Sequence, residues 1–194
     1  MPDYKRYKYL EKLIINEKLK NIIEIGVYRC KSSINMIKAA LVNNAPENIN
    51  YYGFDLFDNC PSHEFSKSHS AYSIKKAYSL LNPYKCNIKL IKGDTNKTIP
   101  EFIEGFNDEV DLIFLDGGHS SETIRNDWEN IYKIMNNNTI CIFDDYYKSK
   151  NTNQPGCNFI IDNLDRELFS VEILPECDCF EDKDIYFVKV QKKS

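Results

Sequence analysis

Short apolar runs alternate along most of the chain with segments in which apolar residues recur every three or four positions. Runs rich in Ile, Leu, Val and Phe are typical of strands that are buried on both faces of a sheet. The intervening spacing is typical of amphipathic helices. The predicted strands cover 22–26, 51–56, 87–92, 110–115, 139–143, 171–174 and 185–190.

The predicted helices lie between these strands. The first helix precedes the first strand and places Tyr7, Leu10, Leu13 and Ile14 on one face. A later helix contains Pro100, which we expect in its first turn, where a missing N–H costs nothing. The predicted helices cover 3–19, 32–42, 72–81, 98–106, 122–135 and 157–164.

Strict alternation of strand and helix predicts an α/β fold with right-handed crossovers. We expect a Rossmann-like, doubly wound sheet of seven strands, mostly parallel. The last two strands are joined by a short acidic connection, so they should pair antiparallel. A chain of 194 residues is long enough to bury a sizeable core. We expect a single domain over 1–194, in which 1–20 form the leading helix segment.

Composition and charge exclude several kinds of partner. The net charge is −4 and the pI about 5.5, and no basic face is evident, so we expect no nucleic-acid partner. No apolar run approaches the length of a membrane span. Seven cysteines, an odd number, with no secretory pattern behind Met1 favour a reduced cytoplasmic protein with free thiols. The sequence leaves a homo-oligomer open.

Carboxylates follow two of the predicted strands directly. Asp116 follows one run, and Asp144 and Asp145 follow the next. Ligands of open α/β sheets bind at the carboxyl ends of strands, so we expect these side chains in one crevice. Crowded carboxylates repel one another and favour a cation. Two alternatives stay open: Asp116 could cap the next helix, and Asp145 could face away, because strand residues alternate between faces.

A second group of polar residues follows the first three strands. Gly26, at the end of the first strand, lets a ligand approach the backbone closely. A dinucleotide fingerprint would have Gly at position 28, where Tyr28 disfavours an NAD site. Asp55 ends the second strand, where a carboxylate accepts hydrogen bonds from ribose hydroxyls. Asp94 ends the third strand beside it.

Taken together, these motifs resemble the class I S-adenosylmethionine-dependent methyltransferases. Within that class the chain is most similar to the small metal-dependent O-methyltransferases related to macrocin O-methyltransferase. The resemblance covers about 21–190 and includes the antiparallel seventh strand. It departs at Cys30, where the family usually has a second Gly, and a side chain there is expected to crowd the methionine part of the cofactor. The motifs are Glu24-x-Gly26, Asp55, Gly93-Asp94, Asp116-Gly-Gly-His119 and Asp144-Asp145-Tyr146.

The resemblance implies S-adenosylmethionine as cofactor and a role for Mg²⁺. The metal, held by Asp116, Asp144 and Asp145, would bind the acceptor hydroxyl and lower its pKa. Asp116 could also take the hydroxyl proton, with His119 as the rival base or as a mere turn residue. The implied cofactor-binding residues are Glu24, Gly26, Val27, Tyr28, Ser32, Asp55, Asp94, Thr95 and Asp116.

The favoured function is therefore metal-assisted O-methylation of a small hydroxylated acceptor. A sugar is the example, and it rests on family analogy alone. One alternative is a methyltransferase that acts on another acceptor without a metal. Another is a degenerate domain that binds a nucleoside cofactor or a partner without catalysis, for which Cys30 is the best support. A dehydrogenase is disfavoured by Tyr28.

Overall fold

The apolar runs form one seven-stranded sheet in the computed structural model, which describes residues 4–59, 71–148, 156–180 and 183–193. The strands are β1 (Asn21–Ile25), β2 (Asn50–Asp55), β3 (Asn87–Lys92), β4 (Leu112–Leu115), β5 (Ile140–Lys148), β6 (Phe169–Phe180) and β7 (Lys183–Lys192). Their order in the sheet is β3-β2-β1-β4-β5-β7-β6.

Six α-helices accompany the sheet within the described ranges. They are α1 (Lys5–Asn16), α2 (Lys31–Ala40), α3 (Ile74–Leu81), α4 (Thr95–Glu104), α5 (Ser121–Ile131) and α6 (Asn158–Asp162). Short 3-10 helices cover Pro46–Asn48, Phe57–Asn59, Asn82–Tyr84 and Tyr132–Ile134. Among the described residues, no helix combines the length and apolar character needed to cross a membrane.

The strand pairing confirms the predicted fold class. Strands β1 to β5 are parallel, and β7 pairs antiparallel with both β5 and β6. Chain order reverses at β1, which has β2 on one side and β4 on the other. The crevice outside the carboxyl ends of β1 and β4 is thus the topological switch point, where open α/β sheets bind ligands.

The core has two parts, one on each face of the sheet. Neighbouring strand residues go to opposite parts, because side chains alternate along a strand: Ile22 belongs to the first and Ile23 to the second. The first part lies under α1, α2 and α3, and the second under α4, α5 and α6. The first includes Leu10, Ile14, Met36, Phe114 and Phe187, and the second includes Phe54, Ile99, Trp128, Phe143 and Val188.

The ends of the helices differ from the predicted ones, and two of these differences have a visible cause. Helix α4 begins at Thr95 because the side chain of Asp94 accepts a hydrogen bond from the backbone N–H of Asn96 at 3.0 Å, which caps the helix. Pro100 therefore lies inside the helix, and its predicted place in the first turn is wrong. Helix α1 ends at Asn16, before the predicted 19, because Lys18 adopts a left-handed backbone with φ of 55°.

The fifth strand is longer than predicted, and this changes the placement of two acidic residues. Asp144 and Asp145 lie inside β5, so the expectation that they follow its end is wrong. The pairing of β5 with β7 shifts between Phe143 and Tyr146, and Asp145 has a φ of 61° within this bulge. A bulge redirects side chains locally. The polar segment 59–70, which its length and composition mark either as a loop over the site or as plain surface, lies outside the described residues from position 60 onward.

Gly26 allows a close approach between the carboxyl ends of β1 and β4. Its φ is 99°, and a Cβ at this position would overlap the backbone carbonyl of Asp116 and lie 2.8 Å from Cα of Gly117. The Gly26 N–H also donates to the carbonyl of Phe54 at 2.9 Å. Gly26 thus ties three strand ends together.

Gly26→Ala should lower the free energy of unfolding by about 2–5 kcal/mol, since it combines a left-handed backbone with an overpacked contact. Urea denaturation followed by circular dichroism measures the loss. Gly105→Ala is the matched control, because a Cβ there meets no atom within 4 Å among the described residues. Equal stability of the two variants would contradict the steric argument.

Candidate active site

The carboxyl ends of β4 and β5 and the start of α5 enclose a small crevice. It brings together four residues that were predicted as catalytic or metal-binding: Asp116, His119, Asp144 and Asp145. Two of them belong to strand β5, and the other two to the β4–α5 connection. The crevice is lined by Leu115, Asp116, Gly117, Gly118, His119, Ile124, Asp127, Asp144 and Asp145.

Helix α1 inserts an arginine among these carboxylates. The Arg6 side chain is only 6% exposed, and its Nη1 forms an ion pair with Oδ1 of Asp144. Its Nε donates to Oδ2 of Asp178, on β6, at 3.0 Å. The guanidinium carbon lies 4.9 Å from the ring centroid of Phe187. The positive charge near Asp144 is therefore supplied by the protein itself.

The next residue of α1 links two of the carboxylates. The Tyr7 hydroxyl lies 2.9 Å from Oδ2 of Asp116 and 3.0 Å from Oδ2 of Asp144, so its single proton is shared between the two acceptors. Burial, followed by the charge of Asp116, raises the pKa of Tyr7 well above its ordinary value. Tyr7 thus keeps its proton and acts as a donor to the crevice.

Asp116 has the properties of a proton acceptor that works near neutral pH. Burial, and then the negative charge of Asp145, raise the pKa of Asp116 to about 7, against the lowering effect of the hydrogen bond from Tyr7. A base is most effective when its pKa is close to the working pH. This shift makes Asp116 the stronger of the two predicted catalytic residues on electrostatic grounds.

His119 and Asp145 form a second pair at the mouth of the crevice. Nδ1 of His119 lies 2.5 Å from Oδ2 of Asp145, and the histidine side chain is 58% exposed. Burial would raise the pKa of Asp145, but the hydrogen bond and charge of His119 outweigh it and lower that pKa. An ionised Asp145 accepts from Nδ1 of His119 and thereby orients the ring.

The predicted magnesium ligands do not fit a metal ion as they are arranged. Asp144 is engaged on Oδ1 by Arg6 and by the Asp145 N–H at 2.6 Å, and on Oδ2 by Tyr7. Oδ2 of Asp116 accepts from Tyr7, and Oδ2 of Asp145 pairs with His119. Within the part of the chain that the structure describes, no three His, Cys, Asp or Glu side chains form a group that could hold a metal.

At the other end of the switch point, Asp55 holds the loop between β1 and α2. Its Oδ2 accepts from the backbone N–H of Tyr28 at 2.7 Å, and its Oδ1 accepts from that of Phe57 at 2.5 Å. An ionised carboxylate has about four acceptor positions, so about two remain. Asp55 could therefore accept hydrogen bonds from ribose hydroxyls as predicted, without losing its contacts to the loop.

Glu24 supports this loop from below. It is fully buried, and it accepts hydrogen bonds from the hydroxyls of Ser32, Ser33 and Tyr51. Burial outweighs these three bonds and raises the pKa of Glu24 to about 7. Because Ser32 and Ser33 lie in the first turn of α2, Glu24 anchors the helix start, and the predicted contact of Glu24 with a ligand remains a prediction.

The loop has glycine-like backbone at two positions that are not glycine. Tyr28 has a φ of 47° and Cys30 a φ of 61°. Both values lie in the left-handed region, which glycine adopts at no steric cost and other residues adopt rarely. The Cys30 side chain is completely buried in the first core part, as is Val27. Cys30 therefore presents its side chain to the core.

The remaining predicted cofactor residues lie at the start of α4. Asp94 is exposed and caps the helix, and Thr95 is its first residue. Burial raises the pKa of Asp127, on α5, to about 6. Asp127 is only 3% exposed. Its Oδ1 has no partner among the described residues.

Sequence reasoning missed Arg6, the polar role of Tyr7, and Asp178. A signal for Arg6 exists, because Arg6, Leu10 and Ile14 are the buried residues of α1 and follow one another at intervals of four. Extending the apolar stripe by one turn places Arg6 on the face that packs against the sheet. Nothing comparable marks Asp178, because its partner comes from the opposite end of the chain.

Comparison with known proteins adds a family and a fold. Residues 23–146 match the family model described as a methyltransferase domain. No curated protein matches the chain.

Among solved structures, the fold is similar to an O-methyltransferase from Bacillus cereus in complex with SAH, with a TM-score of 0.70, 16% identity, and coverage of 100% of this chain and 83% of that one. It is similar to the O-methyltransferase TomG from Streptomyces achromogenes in complex with SAM (TM-score 0.66, 13% identity, coverage 97% and 79%). It is also similar to the apo TDP-rhamnose 3'-O-methyltransferase of calicheamicin biosynthesis, with a TM-score of 0.64, 17% identity, and coverage of 92% of this chain and 76% of that one.

The buried Glu24 predicts a specific pH dependence of stability. Its pKa rises from 4.5 to about 7 on folding, so its stabilising contribution is complete below pH 4.5 and is lost as pH rises toward 7. Glutamine cannot ionise. Between pH 4.5 and pH 8, Glu24→Gln should therefore gain stability relative to the wild type, by about 3 kcal/mol.

Urea denaturation at several pH values measures this difference. Glu47→Gln, at an exposed glutamate, is the control substitution. A constant difference between Glu24→Gln and wild type across this range would show that Glu24 does not ionise with a raised pKa.

Proposed function

The chain belongs to the family of methyltransferase domains, and from this premise we propose that it is an S-adenosylmethionine-dependent O-methyltransferase that acts on a small hydroxylated acceptor such as a sugar. The match over residues 23–146 shows the family. The observation that best supports methyl transfer to a hydroxyl is the tight contact between the backbones of Gly26 and Asp116. It joins the candidate cofactor loop to a carboxyl group with a pKa of about 7.

The cofactor proposal rests on the loop after β1 and on Asp55. Gly26 leaves the backbone bare at the switch point, and Asp55 retains acceptor positions for ribose hydroxyls. Structures of similar fold are described in complex with SAH and with SAM, which supports the same choice here. When bound, S-adenosylmethionine supplies a methyl group that is electrophilic because its sulfur is positively charged.

The reaction requires the chain to remove one proton. The acceptor oxygen forms a bond to the methyl carbon, the carbon–sulfur bond breaks, and its electron pair stays on sulfur, which leaves S-adenosylhomocysteine. The acceptor hydroxyl proton must pass to a base. Asp116 is the favoured base because burial and Asp145 raise its pKa to about 7. His119, oriented by Asp145, is the second candidate.

A sugar acceptor is supported by the similar fold of a TDP-rhamnose 3'-O-methyltransferase. Magnesium assistance is the less favoured form of the proposal, because Arg6 and Tyr7 would have to leave Asp144 before a metal could bind it. We also propose a cytoplasmic location, supported by the free cysteines Cys30, Cys86, Cys141, Cys157, Cys177 and Cys179.

The cofactor site is tested by binding of S-adenosylhomocysteine in calorimetry. Asp55→Asn should weaken binding roughly 10-fold or more, since a hydrogen bond to a charged group is lost. Asp58→Asn is the matched control, because Asp58 is 52% exposed and pairs with Lys92. Melting curves establish that both variants are folded. Absence of binding by the wild type would exclude the methyltransferase activity and favour the degenerate domain.

The base is tested by methyl transfer to a panel of free and nucleotide-linked sugars. Asp116→Asn should lower the rate by about 10²–10⁴-fold, because an amide cannot take up the hydroxyl proton. His119→Gln should have the smaller effect. Binding of S-adenosylhomocysteine should survive both changes. A full rate in Asp116→Asn, with a large loss in His119→Gln, would transfer the role of base to His119.

A further inference from the structure

We infer that the guanidinium of Arg6 takes the place of a catalytic metal ion in this crevice. Helix α1 brings one positive charge and one hydroxyl donor, from Arg6 and Tyr7, to the carboxylates of Asp116 and Asp144. Arg6 is then a positioning residue, which acts on Asp116 through Asp144 and Tyr7. Its role in catalysis rests on the proposed function, whereas its role as the cation of the crevice does not.

Burial makes a cation necessary at Asp144. The Asp144 side chain is 6% exposed, as is that of Arg6. A carboxylate that has lost its water is costly unless a positive partner and further hydrogen bonds replace it. Arg6 supplies the charge, and Tyr7 and the Asp145 N–H supply the bonds. Both oxygens of Asp144 are thus engaged by the protein, and a metal could bind only by displacing these groups.

A second carboxylate fixes α1 where it can deliver Arg6. Oδ1 of Asp178 accepts from the backbone N–H of Lys5 at 2.8 Å, and Oδ2 accepts from that of Arg6 at 3.3 Å. Tyr4, the residue that precedes the helix, provides no side-chain cap. Asp178 therefore caps α1 from strand β6, near the positive end of the helix dipole. The same carboxylate also accepts from Nε of Arg6 at 3.0 Å.

Packing selects arginine for this position. The guanidinium carbon lies 4.9 Å from the Phe187 ring centroid and 5.7 Å from that of Tyr7, so its positive charge lies over two aromatic rings. The two carboxylates bind different nitrogens of one planar group, Nη1 for Asp144 and Nε for Asp178. A lysine carries its charge on a single nitrogen and cannot reproduce this fork.

The consequence for Asp116 follows from the Tyr7 hydroxyl. Tyr7 contacts Asp116 and Asp144 at nearly equal distances, 2.9 and 3.0 Å. Arg6 offsets the charge of Asp144, which leaves more of the hydroxyl's donor capacity for Asp116. Loss of Arg6 should draw Tyr7 toward the unpaired Asp144, and Asp116 should then lose part of its hydrogen bond. The pH profile of methyl transfer should move accordingly, to a higher apparent pKa of the base.

The first experiment compares melting curves in Mg²⁺ and in chelator. The wild type should give identical curves, because Arg6 already occupies Asp144. Arg6→Gln should melt about 6–20 °C lower, since it leaves a buried charge without its partner. Mg²⁺ should recover part of that loss by binding Asp144, which Arg6 no longer neutralises in this variant. Arg125 is exposed, so Arg125→Gln is the matched control. Its melting temperature should equal that of the wild type and should not respond to Mg²⁺.

A double-substitution cycle keeps the inference testable if Arg6→Gln folds poorly. Arg6→Gln with Asp144→Asn should be more stable than Arg6→Gln alone, because both charges of the pair are removed together. Strictly additive losses would overturn the ion pair. Stabilisation of the wild type by Mg²⁺, as large as that of Arg6→Gln, would overturn the claim that arginine takes the place of the metal.

Catalysis provides an independent arm. Wild-type transfer should be unaffected by chelator, and Arg6→Gln should shift the pH profile while binding of S-adenosylhomocysteine persists. Arg6→Lys keeps the positive charge but cannot bind Asp144 and Asp178 through two nitrogens of one planar group. The pH profile of this variant should therefore lie between those of the wild type and Arg6→Gln. A wild type that needs Mg²⁺ for transfer would overturn the inference. Failure of the wild type to bind S-adenosylhomocysteine would overturn the proposed function alone, since the melting experiments do not depend on it.

Discussion

The ion pair between Arg6 and Asp144 is the interaction on which the arrangement of the crevice depends. A sheet whose strands end in carboxylates accumulates negative charge at one edge, and burial makes that charge costly. Arg6 offsets it from α1, and Asp178 caps the helix that carries Arg6. Tyr7 then extends the contact to Asp116. When α1 packs against the core, it also brings Arg6 to Asp144, so the same contact balances the charge of the crevice.

The bulge in β5 divides the acidic cluster into two functional halves. In a regular strand Asp144 and Asp145 would face opposite sides of the sheet. The left-handed backbone at Asp145 redirects its side chain toward His119, while Asp144 remains with Arg6 and Tyr7. One half provides a charge-balanced support for Asp116, and the other provides a histidine held by a carboxylate. In the proposed function either half could serve the acceptance of the proton that transfer of a methyl group to a hydroxyl requires.

The sheet and the acidic crevice could largely be predicted from the sequence, because both depend on the local pattern of apolar and polar residues. Apolar runs predicted the seven strands, and their ends predicted that Asp116 and Asp144 would meet. The early start of α4 was not predicted, although Asp94 is a common capping residue. Arg6 could have been found from its interval of four to Leu10. Its partners could not, because pairing across the whole chain is decided by tertiary packing.

The most direct measurement is a crystal structure grown with S-adenosylhomocysteine and Mn²⁺, whose anomalous scattering locates bound metal. The account predicts the ligand along the loop at Gly26, with its ribose on Asp55, the guanidinium of Arg6 on Asp144, and no manganese peak between Asp116, Asp144 and Asp145. A manganese ion on Asp144 with Arg6 displaced would contradict the account of the crevice. S-adenosylhomocysteine bound away from Gly26 and Asp55 would contradict the proposed cofactor site.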